Sequence, residues 1–114
     1  MSTTSETPVL DTLAAMTGDS LERCGMDADM LLLIRLAALV ASDAPPISYA
    51  AHIDPAVRAG LTAEQLQDVL VAIAPIVGTA RVMTAAGNIT KALGVAIAVA
   101  EAEAQAQAGM DTMG

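Results

Sequence analysis

Runs of alanine and leucine, interrupted by single glycines and prolines, are the feature that most restricts what this chain can fold into. Alanine and leucine have high helix propensities, and apolar residues three and four positions apart share one face of a helix. A chain of 114 residues is also the size of one domain. The pattern therefore predicts an all-α fold, a single-domain bundle of five to six helices.

Glycine, proline and capping residues set the expected helix ends. Gly25 fits the position just after a helix, and Asp27 fits the N-cap of the next one. Thr62 and Gln65 have the spacing of a capping box, while Pro55 should kink or restart the third helix. The expected helices cover residues 9–24, 28–42, 46–59, 63–74 and 79–93, the last ended by Gly94.

The two ends differ in composition from the middle of the chain. We expect a disordered tail over residues 1–8, the helical domain over 9–100, and an acidic Ala/Gln-rich tail over 101–114, where a helix frays. The N-terminus lacks the basic and apolar regions of a signal peptide. The apolar stretches 30–41 and 92–100 are shorter than the roughly 18–20 residues that span a bilayer. A cytoplasmic protein with no membrane partner is predicted.

The charge and the scarcity of aromatic residues narrow the class of partner. Thirteen acidic residues oppose five basic ones, which gives a net charge of −8, and Tyr49 is the only aromatic residue. Nucleic-acid binders need positive charge and stacking platforms, so no nucleic-acid partner is expected. With Cys24 as the only cysteine, an internal disulfide and a thiolate metal cluster are excluded, and we predict no metal and no cofactor.

The apolar content is high for so short a chain. It reaches 54 %, and the second, fourth and fifth helices look apolar around most of their circumference. Such helices need cover on more than one side. An obligate homo-oligomer with an apolar interface is therefore predicted. The alternative is a monomer with ordinary surface alanines.

His52 is the only histidine and the first candidate for chemistry. It follows Ser48 by four residues and Tyr49 by three, so the three side chains share a helix face. Histidine is suited to proton transfer near neutral pH. Alternatively, His52 is a structural residue, hydrogen-bonded in the core or at the surface.

Two arginines are candidate anion ligands. Arg35 lies in an apolar helical stretch, where it could clamp a carboxylate or form a structural ion pair with Asp68 or with an acid of another subunit. Arg81 follows Gly78 at the start of the fifth helix, where a solvated or interface charge is the alternative to a substrate ligand.

Residues 33–52 resemble the carboxymuconolactone decarboxylase-like superfamily, which includes the alkylhydroperoxidase D-like proteins. The resemblance continues through Ala-x-x-x-Gly at 56–60, the Thr62 cap, Asp68-Val-Leu and Ile76-Val-Gly-Thr, over roughly 70 residues. It implies an all-helical fold assembled as dimers, trimers or hexamers; we favour a trimer or hexamer.

The reacting positions of both branches of this superfamily are altered here. The peroxidase branch has Cys-x-x-Cys-x-x-x-His; alignment on His52 places Pro45 and Ser48 at the cysteines, which cannot exchange disulfides. The decarboxylase branch has an acidic residue near Ser48 and a later histidine at Ala72. An antioxidant peroxidase is therefore disfavoured.

The resemblance and the candidate residues lead to one preferred function. We expect a small organic acid or lactone to bind, with lyase- or isomerase-like proton transfer by His52, assistance from Ser48 or Tyr49, and a carboxylate clamp of Arg35 or Arg81. The alternative is a non-catalytic helical oligomer with a degenerate site.

Overall fold

Five α-helices make up the described part of the chain. The computed structural model describes residues 6–113, the last three by backbone alone, so residues 1–5 of the predicted N-terminal tail and residue 114 lie outside the described residues. The helices are α1 Pro8–Arg23, α2 Ala28–Ala41, α3 Pro46–Arg58, α4 Ala63–Val77 and α5 Thr79–Met113. No strand occurs between residues 6 and 113, which confirms the predicted all-α fold.

The core lies among α2, α3, α4 and α5. Helix α3 packs along α5, and α2 contacts all three of the others. The largest fully buried side chains come from α2, α3 and α4: Leu36, Val40, Tyr49, Ile53 and Leu66. Helix α5 contributes the smaller Ala85, Ala92 and Ala96 together with Ile89. Helix α1 contributes no buried residue, so the packed bundle has four helices.

The start of α4 matches its prediction, and its end does not. Thr62 Oγ1 accepts from the Gln65 backbone N–H at 3.1 Å, and Gln65 Oε1 accepts from the Thr62 N–H at 2.8 Å, which confirms the capping box. The helix then continues past the expected end near residue 74 to Val77, with Pro75 inside it. It stops at Gly78, whose φ of +95° favours glycine.

Proline also fails to divide α3. Pro55 lies inside one continuous helix that runs to Arg58. The missing N–H of a proline removes a single helical hydrogen bond. Burial of Ile53 and Ala56 on either side of Pro55 stabilises this stretch as a helix.

The predicted end of α5 at Gly94 is wrong. The helix continues through Gly94 to Met113 as one element of 35 residues, so the expected tail from residue 101 is helical. The part Thr79–Met110 is long and apolar enough to cross a membrane, the one such helix among the described residues. Four residues of this stretch, Ala85, Ile89, Ala92 and Ala96, are buried in the core, and most of the others are exposed. The absence of a membrane partner stays a prediction.

Candidate functional site

An open cleft of about 290 Å³ lies where α1, α2 and α3 meet. Helix α2 supplies Arg35, and α3 supplies His52. The remaining lining residues come from α1 and α2: Met16, Thr17, Ser20, Ala38 and Leu39. The structure therefore brings together two residues that the sequence proposed separately, a cation and a titratable imidazole.

His52 is half-buried, and its ring is held from one side. Its Nδ1 lies 2.8 Å from the carbonyl oxygen of Ser48, one helical turn earlier. A carbonyl only accepts hydrogen bonds, so Nδ1 carries the proton, and in the neutral ring Nε2 carries the lone pair. The backbone of α3 thereby fixes the tautomer that leaves Nε2 as the basic atom.

Arg35 reaches from α2 to α1. Its Nη2 donates to Ser20 Oγ at 3.0 Å and to the Thr17 carbonyl oxygen at 3.4 Å. The ion pair with Asp68, which the sequence left open, does not form; Asp68 is exposed on α4. Both partners are neutral groups, so neither offsets the positive charge of the guanidinium beside the cleft.

The charge of the lining favours an anion. None of the seven lining residues is acidic, and Arg35 supplies a permanent positive charge. Met16, Ala38 and Leu39 give the cleft apolar walls. A cation, a histidine and apolar walls suit a small organic molecule that carries a carboxylate.

The structure places three other predicted site residues outside this cleft. Tyr49 is in the core, 2 % exposed, and its pKa is raised from 10.0 by burial and then by the charge of Asp43. Arg81 Nη1 donates to the carbonyl oxygen of Ala41 at 2.6 Å and so caps the end of α2. Ser48 contributes its carbonyl oxygen to His52 rather than a lining side chain.

Sequence reasoning missed the part of the site that α1 supplies. Thr17 and Ser20 lie three residues apart on a helix whose other residues on that face are mostly apolar. Two hydroxyl residues that interrupt an apolar face are a signal of a polar contact. The sequence contains this signal, but it does not show that Thr17 and Ser20 contact Arg35.

The described residues contain no group of three or more His, Cys, Asp and Glu side chains placed to hold a metal ion. Cys24 is a free, half-buried cysteine at the end of α1. It is the sequence's only cysteine, so no second thiol of the same chain accompanies it.

A comparison with family models identifies a family for most of the chain. The model of the carboxymuconolactone decarboxylase family matches residues 7–92, which include all of α1 to α4 and α5 as far as Ala92. The chain therefore belongs to the carboxymuconolactone decarboxylase family. Comparisons with curated proteins and with solved structures give no significant match.

Proposed function

We propose that the cleft between α1, α2 and α3 binds a small organic acid or a carboxylated lactone and that His52 transfers a proton to or from it. The observation that carries this proposal is that Arg35 and His52 line one cleft. The matching family's name adds a reaction class, decarboxylation of a carboxylated muconolactone.

Arg35 would position the ligand. Its guanidinium is delocalised and forms paired hydrogen bonds with a carboxylate. Its two contacts on α1 both use Nη2, which either paired arrangement needs, so the carboxylate would accept single hydrogen bonds from Nη1 or Nε. Ser20 then orients the guanidinium, and the apolar walls contact the carbon skeleton.

His52 would supply the proton. In a decarboxylation, the bond between the ring carbon and the carboxylate breaks, CO₂ leaves, and the electron pair stays on that carbon. The carbon then takes a proton from Nε2 of the imidazolium form, and the ring returns to its neutral Nδ1–H tautomer. Because Nδ1 is bonded to the Ser48 carbonyl, Nε2 is the atom that recharges from solvent.

NMR tests the binding step directly, because His52 is the only histidine and its ring signals need no assignment. Maleate, succinate and a carboxylated muconolactone should shift the His52 signals, and Arg35→Gln should weaken this response at least tenfold. Arg81→Gln is the matched control, since Arg81 lies outside the cleft, and should respond like the wild type. Equal responses in both variants would refute the assignment of Arg35.

Release of CO₂ from the carboxylated muconolactone tests the chemical step. His52→Gln should abolish release while binding through Arg35 persists. If the wild type binds the acids but releases no CO₂, the protein is a binding protein with a degenerate catalytic site. A wild-type imidazole that responds to none of the three compounds would overturn the proposal as a whole.

A further inference from the structure

Helix α1 stands apart from the four-helix bundle. Helices that pack against each other have axes about 8–10 Å apart, so their nearest Cα atoms come within about 4–6 Å of each other. Among the described residues, no Cα atom of α1 lies within 8 Å of a Cα atom in another helix, and no residue of α1 is buried. The Arg35–His52 cleft occupies the space between α1 and the bundle.

Two hydrogen bonds hold α1 across this space, and Arg35 Nη2 donates both. One reaches Ser20 Oγ at 3.0 Å, and the other reaches the Thr17 carbonyl oxygen at 3.4 Å. Within the part of the chain that the structure describes, no further hydrogen bond or ion pair joins α1 to another helix. The link from α1 to α2 is four residues long, 24–27. An element with so few contacts opens locally at a small cost in free energy, so α1 can move while the bundle stays folded.

Ser20 has a hydroxyl proton to donate to a ligand. Its Oγ accepts from Arg35, and its own proton has no acceptor among the described residues. The hydroxyl of Thr17 is used differently, because Thr17 Oγ1 donates to the carbonyl oxygen of Leu13 at 2.9 Å. Ser20 lines the cleft next to Arg35. One carboxylate can therefore accept from Arg35 on α2 and from the Ser20 hydroxyl on α1.

The cleft also has an apolar residue on each side of the gap. Met16 of α1 is 62 % exposed, Leu39 of α2 is half-buried, and both line the cleft. Most helical stability in proteins comes from packing of the apolar face, and α1 lacks such packing in the free protein. The carbon skeleton of a ligand between Met16 and Leu39 would supply it.

We propose that α1 is a lid that closes over the cleft when a carboxylated ligand binds. The carboxylate accepts from Arg35 and from the Ser20 hydroxyl, and the carbon skeleton packs against Met16. Binding thereby favours the closed position of α1 over the open one. This inference rests on the proposed binding of a carboxylate beside Arg35, but not on proton transfer by His52.

Amide hydrogen exchange tests the lid, with maleate as the probe. The NMR response of His52 gives the concentration at which maleate saturates the cleft, and sodium chloride at the same ionic strength is the reference. Saturating maleate should slow exchange in α1 about tenfold, because closure protects its backbone. Residues 97–110 are the internal control, since they form an exposed helix outside the cleft, and their exchange should stay unchanged.

Ser20→Ala tests the hydroxyl bridge. It leaves Arg35 in place, so maleate should still shift the His52 signals, but saturating maleate should no longer slow exchange in α1. Thr12→Ala is the matched control on the same helix. The Thr12 hydroxyl donates to the carbonyl oxygen of Pro8, outside the cleft, so this variant should keep the wild-type slowing.

The outcomes separate the lid from the binding proposal. If maleate shifts the His52 signals of the wild type but α1 exchanges at its free rate, the lid is wrong and the binding proposal stands. If the His52 signals do not respond, the binding proposal fails and the lid fails with it. Wild-type slowing in Ser20→Ala, or equal slowing in residues 97–110, would also overturn the lid.

Discussion

At the level of single residues, Tyr49 lies in the core, although its spacing from His52 in the sequence predicted it in the functional site. It is the only aromatic residue, and it is among the largest side chains that are fully buried. Burial raises the pKa of its hydroxyl, and the nearby negative charge of Asp43 raises it further. Tyr49 therefore stabilises the core in its neutral form, and its ionisation opposes folding.

This pKa shift predicts a loss of stability in alkali. The folded-state pKa of Tyr49 lies above the ordinary value of 10.0, so the unfolded chain releases this proton first as the pH rises. The contribution is complete below pH 10 and is lost as the pH rises through the folded-state pKa. Urea unfolding from pH 8 to 11 should show a smaller alkaline loss for Tyr49→Phe than for the wild type; equal losses would contradict this assignment.

Single residues also show how much of the site was predictable. The sequence identified Arg35 and His52 because a lone charge in an apolar helix and a lone histidine are unusual. It also proposed Tyr49, which shares a helix face with His52, and Arg81, which lies at the start of the fifth helix; only packing decides whether such side chains reach the cleft. The partner of Arg81, the Ala41 carbonyl, is 40 residues away, and sequence spacing carries no information on such contacts.

At the level of elements, α5 shows why a glycine inside a helical pattern is a weak end signal. Gly94 costs a helix about 1 kcal/mol relative to alanine. The flanking alanines are strong helix formers, and Ala92 and Ala96 are buried on either side of it. Helix propensity and burial of the neighbouring residues therefore offset the cost of Gly94. The capping box of Thr62 and Gln65, in contrast, was predictable because both of its hydrogen bonds are local.

Replacement of Gly94 by alanine tests the continuity of α5. A Cβ at this exposed position meets nothing within 4 Å, so Gly94→Ala should stabilise the protein by about 0.5–1 kcal/mol. Gly78→Ala is the contrasting variant, because φ is +95° and ψ is 163° there, and it should destabilise by about 1–3 kcal/mol. Chemical denaturation measures both; a destabilised Gly94→Ala would indicate that α5 is interrupted at this position.

Loss of the Arg35 side chain should destabilise α1 more than it destabilises the four-helix bundle. No residue of α1 is buried, and Arg35 bonds it to α2 through Ser20 and Thr17. Arg35→Met should therefore speed amide hydrogen exchange in α1 and leave exchange in α4 unchanged. Arg23→Met is the control, because among the described residues Arg23 forms an ion pair only with the exposed Asp19 of the same helix, and it should leave both rates near those of the wild type. Uniform acceleration in Arg35→Met would instead mean that Arg35 stabilises the whole bundle.

At the level of the whole molecule, the packed core ends well before the last helix does. Burial on α5 stops at Ala96, and every residue from 97 to 110 is exposed. The helix nevertheless runs to Met113, with Glu103 in an exposed ion pair with Arg58. The change in composition near residue 100 predicted the start of a tail. The stretch beyond it has no pattern of buried positions, so the sequence did not show that the helix continues through it.

Shortening the chain separates these two boundaries. A chain that ends after residue 104 keeps all the buried residues of α5 and the Arg58–Glu103 pair, so its urea midpoint and m-value should equal those of the full chain. Its helical circular dichroism should fall by the share of the residues removed. A chain that ends after residue 90 loses Ala92 and Ala96 from the core and should unfold at a clearly lower urea concentration. A much lower urea midpoint for the chain that ends after residue 104 would show that the exposed end of α5 makes stabilising contacts in solution.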